Sequence, residues 1–320
     1  MGLLLIVLAV GFAAQLIDGS LGMGFGVLSM SLLLAAGVLP AVASATVHIA
    51  KIFTAIASGA AHWRFGNVDG KVFLLLGIPG ALGGYLGAVL LSNLSLAAAR
   101  PYVSTVLLVL GVVILARFLH GRRQRRLAAE AAEADLPVTT DESAAVEGPT
   151  TAAESASRRP AWLLVPLGLV GGFVDASGGG GWGPVTTSTI VASGRLSART
   201  TIGTVNAAEL LVALSASAGF LVELGGEGVR WDVTGAMLLG GVLAAIPAAW
   251  MVRHINERIL GIAVGALVLL LSIDSVLSLL QPPEQLLLIF RIVGVVVTIV
   301  LLTLAVMRAR AETALDGAAD

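Results

Sequence analysis

The stretch Asp18-Gly19-Ser20-Leu21-Gly22-Met23-Gly24-Phe25-Gly26 returns in the second half of the chain as Asp175-Ala176-Ser177-Gly178-Gly179-Gly180-Gly181-Trp182-Gly183. Asp, Ser, two glycines, an aromatic residue and a final glycine align without a gap. Each copy interrupts an apolar run. Gly2–Ile17 and Leu21–Ala36 flank the first break, and Trp162–Val174 and Trp182–Ala192 flank the second. The likeness continues: Thr46-Val47-His48 matches Thr204-Val205-Asn206 after a one-residue insertion, and on that register Lys51 corresponds to Glu209.

Outside the breaks, seven stretches reach the roughly 20 apolar residues that a spanning helix needs. They are Pro40–Ala61, Lys71–Leu91, Leu96–Leu119, Ala198–Leu221, Val233–Val252, Ile259–Leu280 and Glu284–Met307. The first apolar stretch has no basic leader and the pattern resumes at once, so it reads as mature structure and not as a signal peptide. The first repeat then crosses the membrane an odd number of times, five if the short segments span and three if they turn back. A second copy must run the opposite way. The predicted fold is therefore an all-α polytopic membrane protein of two inverted-topology repeats, each opening with a glycine-broken pair of short helices. The expected organisation is a first membrane repeat over 1–120, a charged linker over 121–160, a second repeat over 161–280, and an extra span and tail over 281–320.

Composition agrees. Of 320 residues, 57% are hydrophobic and 12% charged, with 39 glycines, against about 25% charged and about 7% Gly in ordinary soluble domains. Thirteen of the charges fall in residues 121–160. Too few remain to coat a water-facing surface, which excludes a soluble enzyme, a nucleic-acid binder and a disordered chain. There is no Cys, and the four His are scattered, so no metal site, thiol chemistry or cofactor is expected. The Arg117–Arg126 cluster places the central loop in the cytoplasm by the positive-inside tendency. Counting outward puts the N-terminus outside and the C-terminus inside.

Bare backbone at membrane depth is tolerated only where protein buries it or it lines a wet cavity. A helix that restarts after a glycine break offers unpaired N–H groups and a partial positive charge, which suits an anion. The glycines also serve close helix packing. The candidate anion site comprises Ser20, Gly22, Met23 and Gly24 of the first break and Ser177, Gly179, Gly180 and Gly181 of the second. Ser44, His48, Lys51, Thr204 and Asn206 flank it. Asp18 and Asp175 either cap the helices behind the breaks or form a proton or cation site coupled to transport. His48 and Lys51 share one helix face near mid-membrane, too deep for Lys51 to reach water easily. A Lys at the bilayer centre costs roughly 2.5–3.5 kcal/mol on insertion scales and persists with a partner or a function. A Lys51–Glu209 bridge and an anion-binding Lys51 both fit, and they coexist if the bridge opens. Asp18, Asp175, His48 and Glu209 are the coupling candidates. Asp274 and Arg291 are placed to pair.

At these residues the chain resembles the TauE/SafE family of sulfite and organosulfur-anion exporters, within the wider toluenesulfonate-uptake permeases. The carrying segments are Gln15–Gly26, Pro40–His48, Ser58–Asp69, Gly168–Pro184 and Gly203–Asn206. The resemblance implies a secondary carrier in the cell's inner membrane, coupled to the proton gradient, that exports sulfite. Organosulfonates, small organic acids and a channel-like anion pore are the alternatives. Its partners would be a small anion and membrane lipid. The sequence leaves open a homodimer and gives no sign of nucleic-acid binding or enzymatic activity.

Overall fold

The computed structural model describes residues 2–21, 23–133, 161–193, 196–251, 257–279 and 282–316. Every regular element among them is helical. The first half holds α1 (Gly2–Leu21), α2 (Phe25–Ala35), α3 (Pro40–Arg64), α4 (Gly70–Asn93) and α5 (Leu96–Glu133). In the second half a 3-10 turn, Ala161–Leu163, leads into α6 (Leu164–Gly178), and a π-helical turn, Gly183–Thr187, leads into α7 (Ser188–Ser193). Then follow α8 (Ala198–Gly228), α9 (Trp231–Met251), α10 (Glu257–Leu279) and α11 (Glu284–Asp316).

Among the described residues, six helical stretches are long and apolar enough to cross a membrane: Pro40–Arg64, Gly70–Asn93, Leu96–Leu119, Thr200–Gly226, Ile259–Leu277 and Glu284–Leu301. The Val233–Val252 span lies in α9, whose described apolar part is Trp231–Ala244. The surface of α4 explains why such helices need lipid. Leu74, Ile78, Leu82 and Leu86 are about half exposed and recur every four residues, forming one apolar stripe on its outer face. The chain is a multi-pass membrane protein.

Two boundaries differ from the sequence reading. α1 runs past Asp18 to Leu21, and α6 runs past Asp175 to Gly178. The breaks shrink to one short crossing each. The helices continue because each Asp reaches forward across the gap, so no cap is needed at the Asp itself. α6 stops where glycine permits a left-handed turn, at Gly179 with φ 80°, and the left-handed Gly24, with φ 115°, leads into α2. α5 carries on into the expected linker and extends to Glu133. The rest of the linker, 134–160, lies outside the described residues, as do the side chain of Ser20 and all of Gly22.

The halves interlock. α1 packs on α9 and α6 on α4, while α3 packs on α8 and α5 on α10. Small residues set these approaches. Gly11 of α1 abuts the Met237 carbonyl of α9, and Gly168, its aligned counterpart in α6, abuts the Leu76 carbonyl of α4. A side chain at either place would collide with backbone. α11 packs on α10, and nothing in its apolar window is buried.

Overpacking of this kind costs about 1–3 kcal/mol. Gly168→Val is expected to lower the melting temperature of the detergent-purified protein clearly. Gly235→Ala, an exposed position in α9 with nothing within 4 Å of the added carbon, is expected to leave it unchanged or slightly raised. Equal melting temperatures for the two variants would refute the close α4–α6 contact.

Candidate functional site

The two breaks meet backbone to backbone. A Cβ added to Gly26 would lie 2.8 Å from the Gly180 Cα and 3.4 Å from the Lys51 Nζ. Around this contact lies a small cleft. From the first break it is lined by Asp18, Met23, Gly24, Phe25, Gly26 and Val27, and from the second by Asp175 and Gly180 through Pro184. Lys51 from α3 and Asn206 and Glu209 from α8 complete the wall.

Both Asp residues cap the helix beyond their break, at the same spacing. The Asp18 Oδ1 accepts from the Phe25 N–H at 3.1 Å. The Asp175 Oδ1 accepts from the Gly181 N–H at 2.7 Å and the Trp182 N–H at 3.0 Å. Phe25 and Trp182 are the aligned aromatics. The capping alternative is thus what the geometry shows for both residues. These N–H groups already hold carboxylates, so the donors that remain at the first break are those of Gly26 and Val27, in the opening turn of α2 where no intrahelical acceptor exists.

Asp175 is the hub. It is 1% exposed. Lys51 Nζ donates to its Oδ1 and Oδ2, both at 3.0 Å, and to the Glu209 Oε1 at 2.7 Å. The Lys51–Glu209 bridge expected from the repeat is present, with Asp175 as a second partner. His48 Nε2 lies 3.1 Å from the Asp175 Oδ2, and its Nδ1 lies 2.8 Å from the Ser44 carbonyl. A carbonyl oxygen only accepts, so Nδ1 carries a proton. The Ser44 hydroxyl donates to the Ala176 carbonyl at 2.7 Å and offers Nδ1 no proton. The contact between Nε2 and Oδ2 therefore holds a proton too, on the ring or on the carboxyl. The Phe220 ring, 6.0 Å from the imidazole centre, closes the far side of His48.

The sequence candidates divide in two. Met23, Gly24, Gly180, Gly181, Lys51, Asn206, Asp18, Asp175 and Glu209 come together at the cleft. Ser44 and His48 stand behind Asp175 and hold it. Gly179 packs against the Met30 side chain. Ser177 bonds the Tyr102 hydroxyl at 2.8 Å and the Phe173 carbonyl at 2.6 Å. The Thr204 hydroxyl accepts from the Asp69 N–H at 2.9 Å, tying α8 to the start of α4. Two residues were not singled out from sequence. Trp182 is wholly buried, with its ring N–H on the Val205 carbonyl at 2.9 Å. Arg117 reaches the Met23 sulfur at 3.2 Å and the Ser188 hydroxyl at 3.1 Å, joining the two broken helices. Arg117 opens the basic cluster and also lies inside the apolar span Leu96–Leu119, and that overlap was the available signal.

Removing one member of a buried, hydrogen-bonded charge pair costs about 3–5 kcal/mol. Asp175→Ala takes from Lys51 one of its two carboxylates and strands His48 and two backbone donors, whereas Asp18→Ala strands one backbone donor. The expected order of melting temperature is wild type, then Asp18→Ala, then Asp175→Ala well below both. A reversed order in thermal unfolding of the purified proteins would remove Asp175 as the hub.

Known proteins share this sequence. The family model described as "Sulfite exporter TauE/SafE" matches residues 7–275. A "Probable membrane transporter protein YtnM" of Bacillus subtilis (strain 168) is 42% identical over 269 residues, covering 84% of this chain and 81% of that protein. No solved structure matches. The match runs from the start of α1 into α10 and takes in both breaks, Lys51 and Glu209, and so the chain belongs to the TauE/SafE sulfite exporter family of membrane transporters.

Proposed function

We propose that the protein is a secondary carrier that exports a small sulfur oxyanion, sulfite foremost, across the cytoplasmic membrane with proton coupling. The observation that carries this reading is the placement of Lys51. Its ammonium lies mid-helix in α3, at a cleft between two touching glycine breaks where helices restart. An ammonium, the amide of Asn206 and helix-start N–H groups are donors that an oxyanion can use. The family's description as sulfite exporters favours sulfite among small oxyanions.

Coupling follows from charge. Three carboxylates, Asp18, Asp175 and Glu209, border the cleft against the single ammonium of Lys51. An anion entering that field is repelled unless a proton neutralises a carboxylate with it. In this reading the repeats over 1–120 and 161–280 run in opposite directions, with the linker and the C-terminus in the cytoplasm. The crossed packing of α1 with α9 and α6 with α4 supports such an arrangement.

A hydrogen bond to a charged group contributes about 1.5–3 kcal/mol, or roughly ten- to a hundredfold in binding. Lys51→Gln and Lys51→Ala are expected to lower sulfite flux into proteoliposomes by at least about tenfold, with the protein still monodisperse. Undiminished flux in folded Lys51→Gln protein would remove Lys51 as a ligand.

A further inference from the structure

The three carboxylates at the cleft are held differently. Asp175 is 1% exposed and receives Lys51, His48 and two backbone N–H groups. Asp18 is fastened to the Phe25 N–H. Glu209 has 21% of its side chain exposed, and its oxygen makes the shortest contact that Lys51 has, 2.7 Å. It approaches from α8, across the cleft from α3, on a side chain longer than Asp by one methylene. Glu209 is thus the carboxylate best able to swing off Lys51 without undoing a helix cap.

We infer that the Glu209 carboxylate is a tethered stand-in for the transported anion. It holds on Lys51 the position that an oxygen of the substrate takes when Glu209 withdraws. This rests on the anion-carrier reading above and deepens it, because it fixes the substrate's charge and the proton count. When a proton from water adds to a Glu209 oxygen, the carboxylate becomes a neutral carboxyl and its attraction to Lys51 falls away. Lys51 keeps its protons and stays paired with Asp175. An anion that then takes the vacated place restores the charge of the cleft if it carries one negative charge. The structure therefore favours a monoanion such as hydrogensulfite, a sulfonate or a carboxylate, with one proton taken up per anion. A dianion would leave the cleft one charge more negative. The groups facing Glu209 are Lys51 from α3, Asp175 from α6, Asp18 from α1 and Asn206 from its own helix, all bordering the same cleft.

A tethered competitor lowers apparent affinity by the fraction of time the site is open, about tenfold for a bridge closed about nine-tenths of the time. The experiment is calorimetric titration of detergent-purified wild type, Glu209→Gln and Glu209→Ala with sulfite, methanesulfonate and acetate. It is run from pH 6 to pH 8, in two buffers of different protonation enthalpy. Gln keeps the shape of Glu and an oxygen for Lys51, so folding is retained, and a melting curve checks it. The expected result has two parts. With methanesulfonate and acetate, which stay monoanions across this range, wild type binds more tightly as pH falls and takes up one proton per anion. With the same two anions both variants bind at least about tenfold more tightly at pH 8, with no proton uptake and a flat pH profile. Wild type that binds while the variants bind no more tightly, or keep the proton uptake, overturns the stand-in and leaves the carrier reading intact. If none of the three proteins binds any of the anions, the carrier reading falls and takes this inference with it.

Discussion

A helix that breaks inside a membrane must find partners for its backbone within the protein, since hydrocarbon supplies none. At the second break the Asp175 carboxylate supplies them, accepting from Gly181 and Trp182. That choice creates the next requirement. A buried carboxylate needs compensating donors, and α3 provides them on one face: Lys51 on both oxygens and His48 on one. His48 in turn is oriented by the Ser44 carbonyl, and the Ser44 hydroxyl bonds the backbone of α6. The i, i+3 and i, i+4 spacing of Ser44, His48 and Lys51 is thus the imprint on α3 of a helix break more than 120 residues away.

The two breaks share a scaffold and differ in chemistry. Asp18 caps α2 as Asp175 caps the helix after the second break. The positions matching His48 and Lys51, however, are Asn206 and Glu209. The first copy of the pair is basic, the second neutral and acidic. Because α3 packs on α8, these faces meet, and the ammonium of one closes on the carboxylate of the other. The two aligned segments share their spacing, and the difference at two side chains supplies the charge.

Much of this was legible in the residues because it depends on local rules. The gapless repeat exposed the breaks. Mid-membrane depth singled out Lys51, and repeat register matched it with Glu209. The same register could not reveal that Asp175 would be its second partner, since that contact depends on how α3 and α6 approach in space. Nor could spacing alone show that each Asp caps across the gap from the helix before it, which lets α1 reach Leu21 and α6 reach Gly178. Thr204 illustrates the opposite outcome. Its place beside Asn206 in the repeat suggested the site, yet its hydroxyl faces Asp69. Helical neighbours point about 100° apart, so adjacency in a motif does not place two side chains on one face.

The proton held between His48 and Asp175 bears on how such a site can work as a carrier. With it, the buried group of Lys51, His48, Asp175 and Glu209 holds as many positive as negative charges. A neutral, mutually bonded cluster is stable in a low-dielectric interior, whereas any single member exposed alone is not. The Lys51–Glu209 bridge therefore has its own reason to stay closed. In the proposed carrier, a substrate offers Lys51 what Glu209 already offers and arrives with a proton to keep the sum at zero. Charge balance of this kind disfavours movement of the bare anion or the bare proton, and that constraint separates a coupled carrier from a leak.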